Sequence, residues 1–86
     1  MNQGIDKYVA QAIVEIAVFL EFSGDDVINQ DSAMNAFEQL ASTLQKSDLK
    51  TKLCLREDFL SISKGYAGEQ MIFVENLADA LGLGGG

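Results

Sequence analysis

No proline interrupts this chain, and each glycine lies at the edge of an apolar-periodic stretch or in the terminal run 84–86. Proline and glycine are the residues that break helices, so their absence from the periodic stretches leaves the chain free to be helical almost throughout. The first such stretch covers about residues 5–22. Ile5, Val9, Ala12, Ile13, Ile16 and Leu20 recur there at three- and four-residue steps and predict one wide inward stripe, flanked by Tyr8 and Phe19. Lys7, Gln11, Glu15 and Glu21 take the opposite, solvent side. Val14, Val18 and Phe22 also fall on that polar side, in an i, i+4 row. Such a row is either covered by another helix or is an interface.

Ser23 and Gly24 are expected to end this helix. After the loop 24–30, Asp31 is the expected N-cap of a second helix over about 32–45, with Ala33, Phe37, Leu40, Ala41 and Leu44 inward. Ser47 is expected to cap a third, over about 48–64. Its inward set is Leu55, Phe59, Ile62 and Tyr66, with Leu49, Leu53 and Leu60 beside them. A break at 65–68 precedes a fourth helix over about 69–81 that buries Phe73, Leu77, Ala80 and Leu81 and stops at Gly82. No segment alternates apolar and polar residues long enough to predict a strand. The expected fold is therefore all-α, a small antiparallel bundle of about four helices with short connections. One helical domain over 1–83 and a disordered glycine tail at 84–86 are expected.

Size and charge limit the functions open to this fold. Eighty-six residues hold one modest core. With 48% apolar residues, more hydrophobic surface is expected than one core can hide, so a docking face or a homodimer is anticipated. The net charge is −7 and histidine is absent. Phosphate backbones and anionic lipid repel such a chain, which argues against nucleic-acid and membrane partners and in favour of a basic protein surface. The charge is uneven. Residues 1–45 carry seven acids against Lys7 alone, while 46–64 carry five of the six bases. Cys54 is the only cysteine, so no internal disulfide can form; with no basic leader before the first apolar stretch, a cytoplasmic location is expected.

Enzyme chemistry is poorly supplied. Without histidine there is no ordinary catalytic triad and no His-based metal site. Cys54 sits between Leu53 and Leu55 as a small core side chain would, with no proton acceptor nearby. Asp25, Asp26 and Asp31 do not make a calcium loop, because counting from either of the first two puts Gln30 or Asp31 where the central glycine belongs. Asp31-Ser32-Ala33 resembles the phosphopantetheine attachment motif of acyl carrier proteins, but alanine replaces the leucine and the preceding loop is short. A capping aspartate followed by serine accounts for the pair more simply. No catalytic residue, metal or cofactor is expected.

The run Glu15-Ile16-Ala17-Val18-Phe19-Leu20-Glu21-Phe22-Ser23-Gly24-Asp25-Asp26, then Asp31 and Phe37-Glu38-Gln39-Leu40-Ala41, resembles small acidic bacterial immunity proteins that neutralise polymorphic toxins of the Rhs or type VI secretion kind. Tyr66-Ala67-Gly68-Glu69-Gln70, Phe73-Val74-Glu75-Asn76-Leu77 and Leu81-Gly82-Leu83 extend the similarity to nearly the whole chain. The prolines that such proteins carry before the residue matching Asp31 and near Ala78 are absent here. The resemblance implies a non-catalytic partner of a toxin domain with a basic surface, acting in the cytoplasm. Glu15, Glu21, Asp25, Asp26, Asp31 and Glu38 would then supply charge, and Val14, Val18 and Phe22 the apolar anchor. The alternative is a structural or regulatory helical homodimer joined through that same valine–phenylalanine row.

Overall fold

A computed structural model describes residues 6–83, and among them every regular element is helical. The helices are α1 (Lys7–Phe22), α2 (Gln30–Leu44), α3 (Leu49–Ser63), α4 (Gly68–Glu75) and the single turn α5 (Leu77–Ala80). The all-α bundle expected from the sequence is what forms. Three of the helices open on side-chain caps. The Asp6 carboxylate accepts from the Tyr8 amide at 2.7 Å, the Asn29 side chain from Ser32 at 3.1 Å, and Asp48 from Thr51 at 2.8 Å. Each satisfies one of the amides that a helix start leaves without a partner. Asn29 and Asp48 thus replace Asp31 and Ser47 as caps. Asp31 lies one residue inside the first turn of α2, where its charge still complements the helix dipole.

α3 joins the bundle, packing on α1, α4 and α5, while α1 packs on α3 and α2 and, more lightly, on α4. The buried face of α1 is Ala10, Val14 and Ala17, with Ile13 and Val18 half-buried beside them. The sequence pattern predicted the opposite face. Val9, Ala12 and Ile16 are exposed, Ile13 and Leu20 are half-buried, and Ile5 lies outside the described residues. α1 is apolar almost all the way round, so periodicity leaves two faces to choose from. The small side chains of Ala10 and Ala17 let neighbouring helices approach closely on the face that is used. In the row Val14, Val18, Phe22, those helices cover Val14 fully and Val18 in part, while Phe22 stays exposed.

α3 buries Leu55 and Phe59 as expected and half-buries Ile62, with Tyr66 just beyond it also half-buried, while Leu49, Leu53 and Leu60, expected beside that set, are exposed. The expected fourth helix is interrupted. Asn76 leaves the helical conformation at φ −102°, ψ 7°, and its side-chain amide donates to the Ile72 carbonyl at 2.8 Å. The kink turns Leu77, Ala78 and Leu81 into the core and leaves Ala80 exposed.

Gly82, at φ +77°, then reverses the chain, with the Leu83 amide donating to Ala78 O at 2.8 Å and the Gly82 amide to Asp79 O at 3.0 Å. This six-to-one and five-to-two pair is the Schellman arrangement, which favours glycine because of the positive φ. Leu83 consequently folds back into the core, so it belongs to the folded domain. Residues 84–86, expected to form a disordered tail, lie outside the described residues. The side-chain amide of Gln45, just past α2, donates to Leu81 O at 2.9 Å. Arg56 of α3 pairs with Asp79 at 3.2 Å, an exposed ion pair that adds little stability.

Candidate functional site: an apolar groove with an acidic rim

The end of α1 and the start of α2 enclose a shallow groove of about 300 Å³, lined by Leu20, Glu21, Gln30, Ala33, Met34 and Phe37. The chain builds it locally. Ser23 closes α1 with its amide on Phe19 O at 3.1 Å, and Val27 and Ile28 turn back onto Gly24 O at 2.9 and 3.1 Å. The Gln30 side chain then donates to Ser23 O at 3.3 Å, tying the start of α2 to the end of α1. Beneath this turn Phe22 meets the edge of Phe73 at 5.5 Å between ring centroids and an interplanar angle of 88°. Phe37 leans on Phe73 at 6.4 Å, so one ring from α4 supports both the end of α1 and the α2 wall of the groove. Edge-to-face pairs of this kind add modestly to the burial of the rings themselves.

Ala33 forms the buried floor, and Leu20 and Phe37 are half-buried walls, whereas Met34 is 61% exposed at the lip. Methionine is flexible and polarisable, which suits a surface that adapts to a partner side chain. Charge round this opening is of one sign. Glu21 lines it, and Asp31 and Glu38 lie three residues before and four residues after Met34 on the same flank of α2. Asp25 and Asp26 are exposed in the adjoining turn. From Asp6 to Gln45 the only base is Lys7, at the far end of α1.

Six of the residues named from the sequence therefore gather, loosely, at this end of the molecule: Glu21, Asp25, Asp26, Asp31, Glu38 and Phe22. Glu15 does not join them. It lies about 120° round the helix from Glu21 and accepts a 2.9 Å hydrogen bond from Gln11. Val14 is wholly buried and cannot anchor a partner, and Val18 is half-buried against the core. The homodimer expected through Val14, Val18 and Phe22 likewise has Val14 withdrawn from the surface and Val18 half-covered. Leu20, Ala33, Met34 and Phe37 had not been singled out as a surface. On α2 their signal was Phe37 three residues after Met34 and four after Ala33, a spacing that reads equally well as core.

A second depression, lined by Lys7, Gln11, Ser61, Ile62, Gly65 and Tyr66, lies where the start of α1 meets the end of α3 and carries no converging charges. Among the described residues no three cysteine, aspartate or glutamate side chains come together as a cation cage, and Cys54 is half-buried within α3. The Asp48 carboxyl is held below the usual range, chiefly by the Thr51 amide and hydroxyl, as its capping role requires. No helix among the described residues is long and apolar enough to cross a membrane. No protein-family model, curated protein or solved structure matches this chain.

Proposed function

We propose that this chain is a protein-binding module of the immunity type, and that its α1–α2 groove receives an apolar side chain presented from a basic surface. The observation that carries this reading is the groove itself: an adaptable methionine lip over Leu20, Ala33 and Phe37, with Glu21, Asp31 and Glu38 on the two helices that form it and no base in its lining. An apolar anchor in such a pocket supplies affinity, while a rim of one sign speeds encounter with an oppositely charged partner and fixes its orientation. A neutraliser needs nothing else, since covering a toxin's basic, nucleic-acid-facing or nucleotide-facing site stops it without any bond being made or broken. The resemblance of the α1–α2 segment to polymorphic-toxin immunity proteins points to the same partner class, a toxin domain acting in the cytoplasm.

The test is to co-express the chain with the product of the gene adjoining its own, if that product is toxic to the host, and to score survival. Wild type is expected to protect. Met34→Glu is expected to abolish protection, because Met34 is exposed enough to change without loss of fold. Phe22 and Val18 are poorer probes, being packed against Phe73 and the core. Failure of the wild-type chain to protect refutes the immunity reading. Full protection by Met34→Glu, with circular dichroism unchanged, refutes the groove.

A further inference from the structure

The outer face of α1 is an exposed apolar surface that the groove does not use. Tyr8, Val9, Ile16 and Phe19 are 73%, 51%, 53% and 46% exposed, with Ala12 exposed between them. They point almost directly away from the buried Ala10, Val14 and Ala17. The spacing within this face is specific. Val9, Ala12, Ile16 and Phe19 follow three, four and three residues apart, the a/d pattern by which two helices interlock, with β-branched residues at both a positions. No charged side chain stands in the seam, and one edge is continued by half-buried Ile13 and Leu20. Glu15 stands on the other edge.

We infer that this face pairs with the same face of a second copy, α1 against α1 in antiparallel register. The seam is self-complementary in that arrangement. Antiparallel pairing sets a positions across from d positions, so Val9 of one copy lies across from Phe19 of the other, and Ala12 across from Ile16. The small residue meets a bulky one at both central positions, and the opposed helix dipoles are favourably aligned. The two Glu15 carboxylates then approach each other beside the two-fold axis.

Area sets the strength. The four large side chains leave on the order of 400 Å² per copy, given about 150–250 Å² for a whole aromatic side chain. With Ala12 and Ile13 added, the pair buries about 1,000 Å², just under the roughly 1,200–2,000 Å² of stable complexes. Each copy also carries −7, so the pair forms against a net repulsion. A small interface formed against like charge is of the weak, reversible kind. Salt strengthens it by screening, the reverse of its effect on a basic partner in the groove.

Sedimentation equilibrium from about 5 µM to about 500 µM, at low and high salt, tests this. A monomer–dimer equilibrium that tightens with salt is expected. Ile16→Glu is expected to raise Kd by at least about tenfold, since a charge would be buried without a partner. Val9→Glu repeats that test at an independent exposed site, and Glu15→Gln is expected to tighten the dimer by removing the facing carboxylates. Met34→Glu should leave the equilibrium unchanged, which keeps this face separate from the groove. A chain that stays monomeric throughout at both salts overturns the inference. So does a dimer that Ile16→Glu and Val9→Glu leave intact while helicity is retained.

Discussion

Replacing Val14 by alanine and, in a separate variant, Ile16 by alanine reads out directly which face of α1 holds the domain together. Val14 is wholly buried, whereas Ile16 has more than half its surface in water. Val14→Ala removes two buried carbons, worth about 0.8 kcal/mol each in transfer, and leaves a cavity that the surrounding helices can close only in part. Alanine is the better helix former by up to about 0.6 kcal/mol, which offsets a share of that loss. The net cost is about 2 kcal/mol, a large part of the roughly 4–13 kcal/mol expected for 86 residues. Ile16→Ala removes one carbon more, yet those carbons are mostly hydrated already and the helix-propensity gain is similar, so its cost is within about 0.5 kcal/mol. Urea unfolding followed by circular dichroism measures both. With m near about 1 kcal/mol/M, the midpoint falls by about 2 M for Val14→Ala and by less than about 0.5 M for Ile16→Ala. The experiment belongs at about 1 µM protein, where dimer formation contributes nothing to the Ile16 value. A larger loss for Ile16→Ala than for Val14→Ala would refute the orientation of α1 described above.

Two further outcomes follow from the chain reversals and caps. Gly82→Ala is expected to cost about 2 kcal/mol, because alanine resists φ +77° and its Cβ would run into the Gln45 amide that holds Leu81 O. Gln45→Ala in the Gly82→Ala background should then cost less than it does alone, as a urea double-mutant cycle would show. The lowered Asp48 titration makes its cap pH-dependent. With the folded value depressed, the stabilisation is fully present above the unfolded carboxylate pKa of about 3.9 and disappears as pH falls through the folded value. Asp48→Asn caps without titrating, so any advantage of wild type in Tm should shrink as pH is lowered through that window. An advantage constant down to the most acid pH would contradict this assignment.

The candidate site was legible only in part. Acids concentrated in the first half of the chain, and the Gly24–Asp26 turn between two helices, already placed a negative surface at one end of α1 and α2. The apolar half of the groove was not visible, because Ala33, Phe37 and Leu20 have the same spacing whether they face a core or an opening. Val14 was misplaced for a related reason. A helix with apolar residues on two opposite faces presents two solutions of similar hydrophobicity, and sequence spacing carries no term for what stands on the other side.

The helical class, the number of long helices and their approximate limits follow from the chain alone, since backbone freedom, apolar period and capping residues act within a few neighbouring positions. Leu55 and Phe59 as the centre of α3 belong to the same local information. Only the packing of α2, α3 and α4 around α1 decided that Ala10, Val14 and Ala17 go inward and Val9, Ile16 and Phe19 outward. The kink at Asn76 and the return of Leu83 to the core are likewise set by what α4 and α5 pack against. Two faces of one helix can be equally apolar, but only one can be the face its neighbours approach closely enough to exclude water.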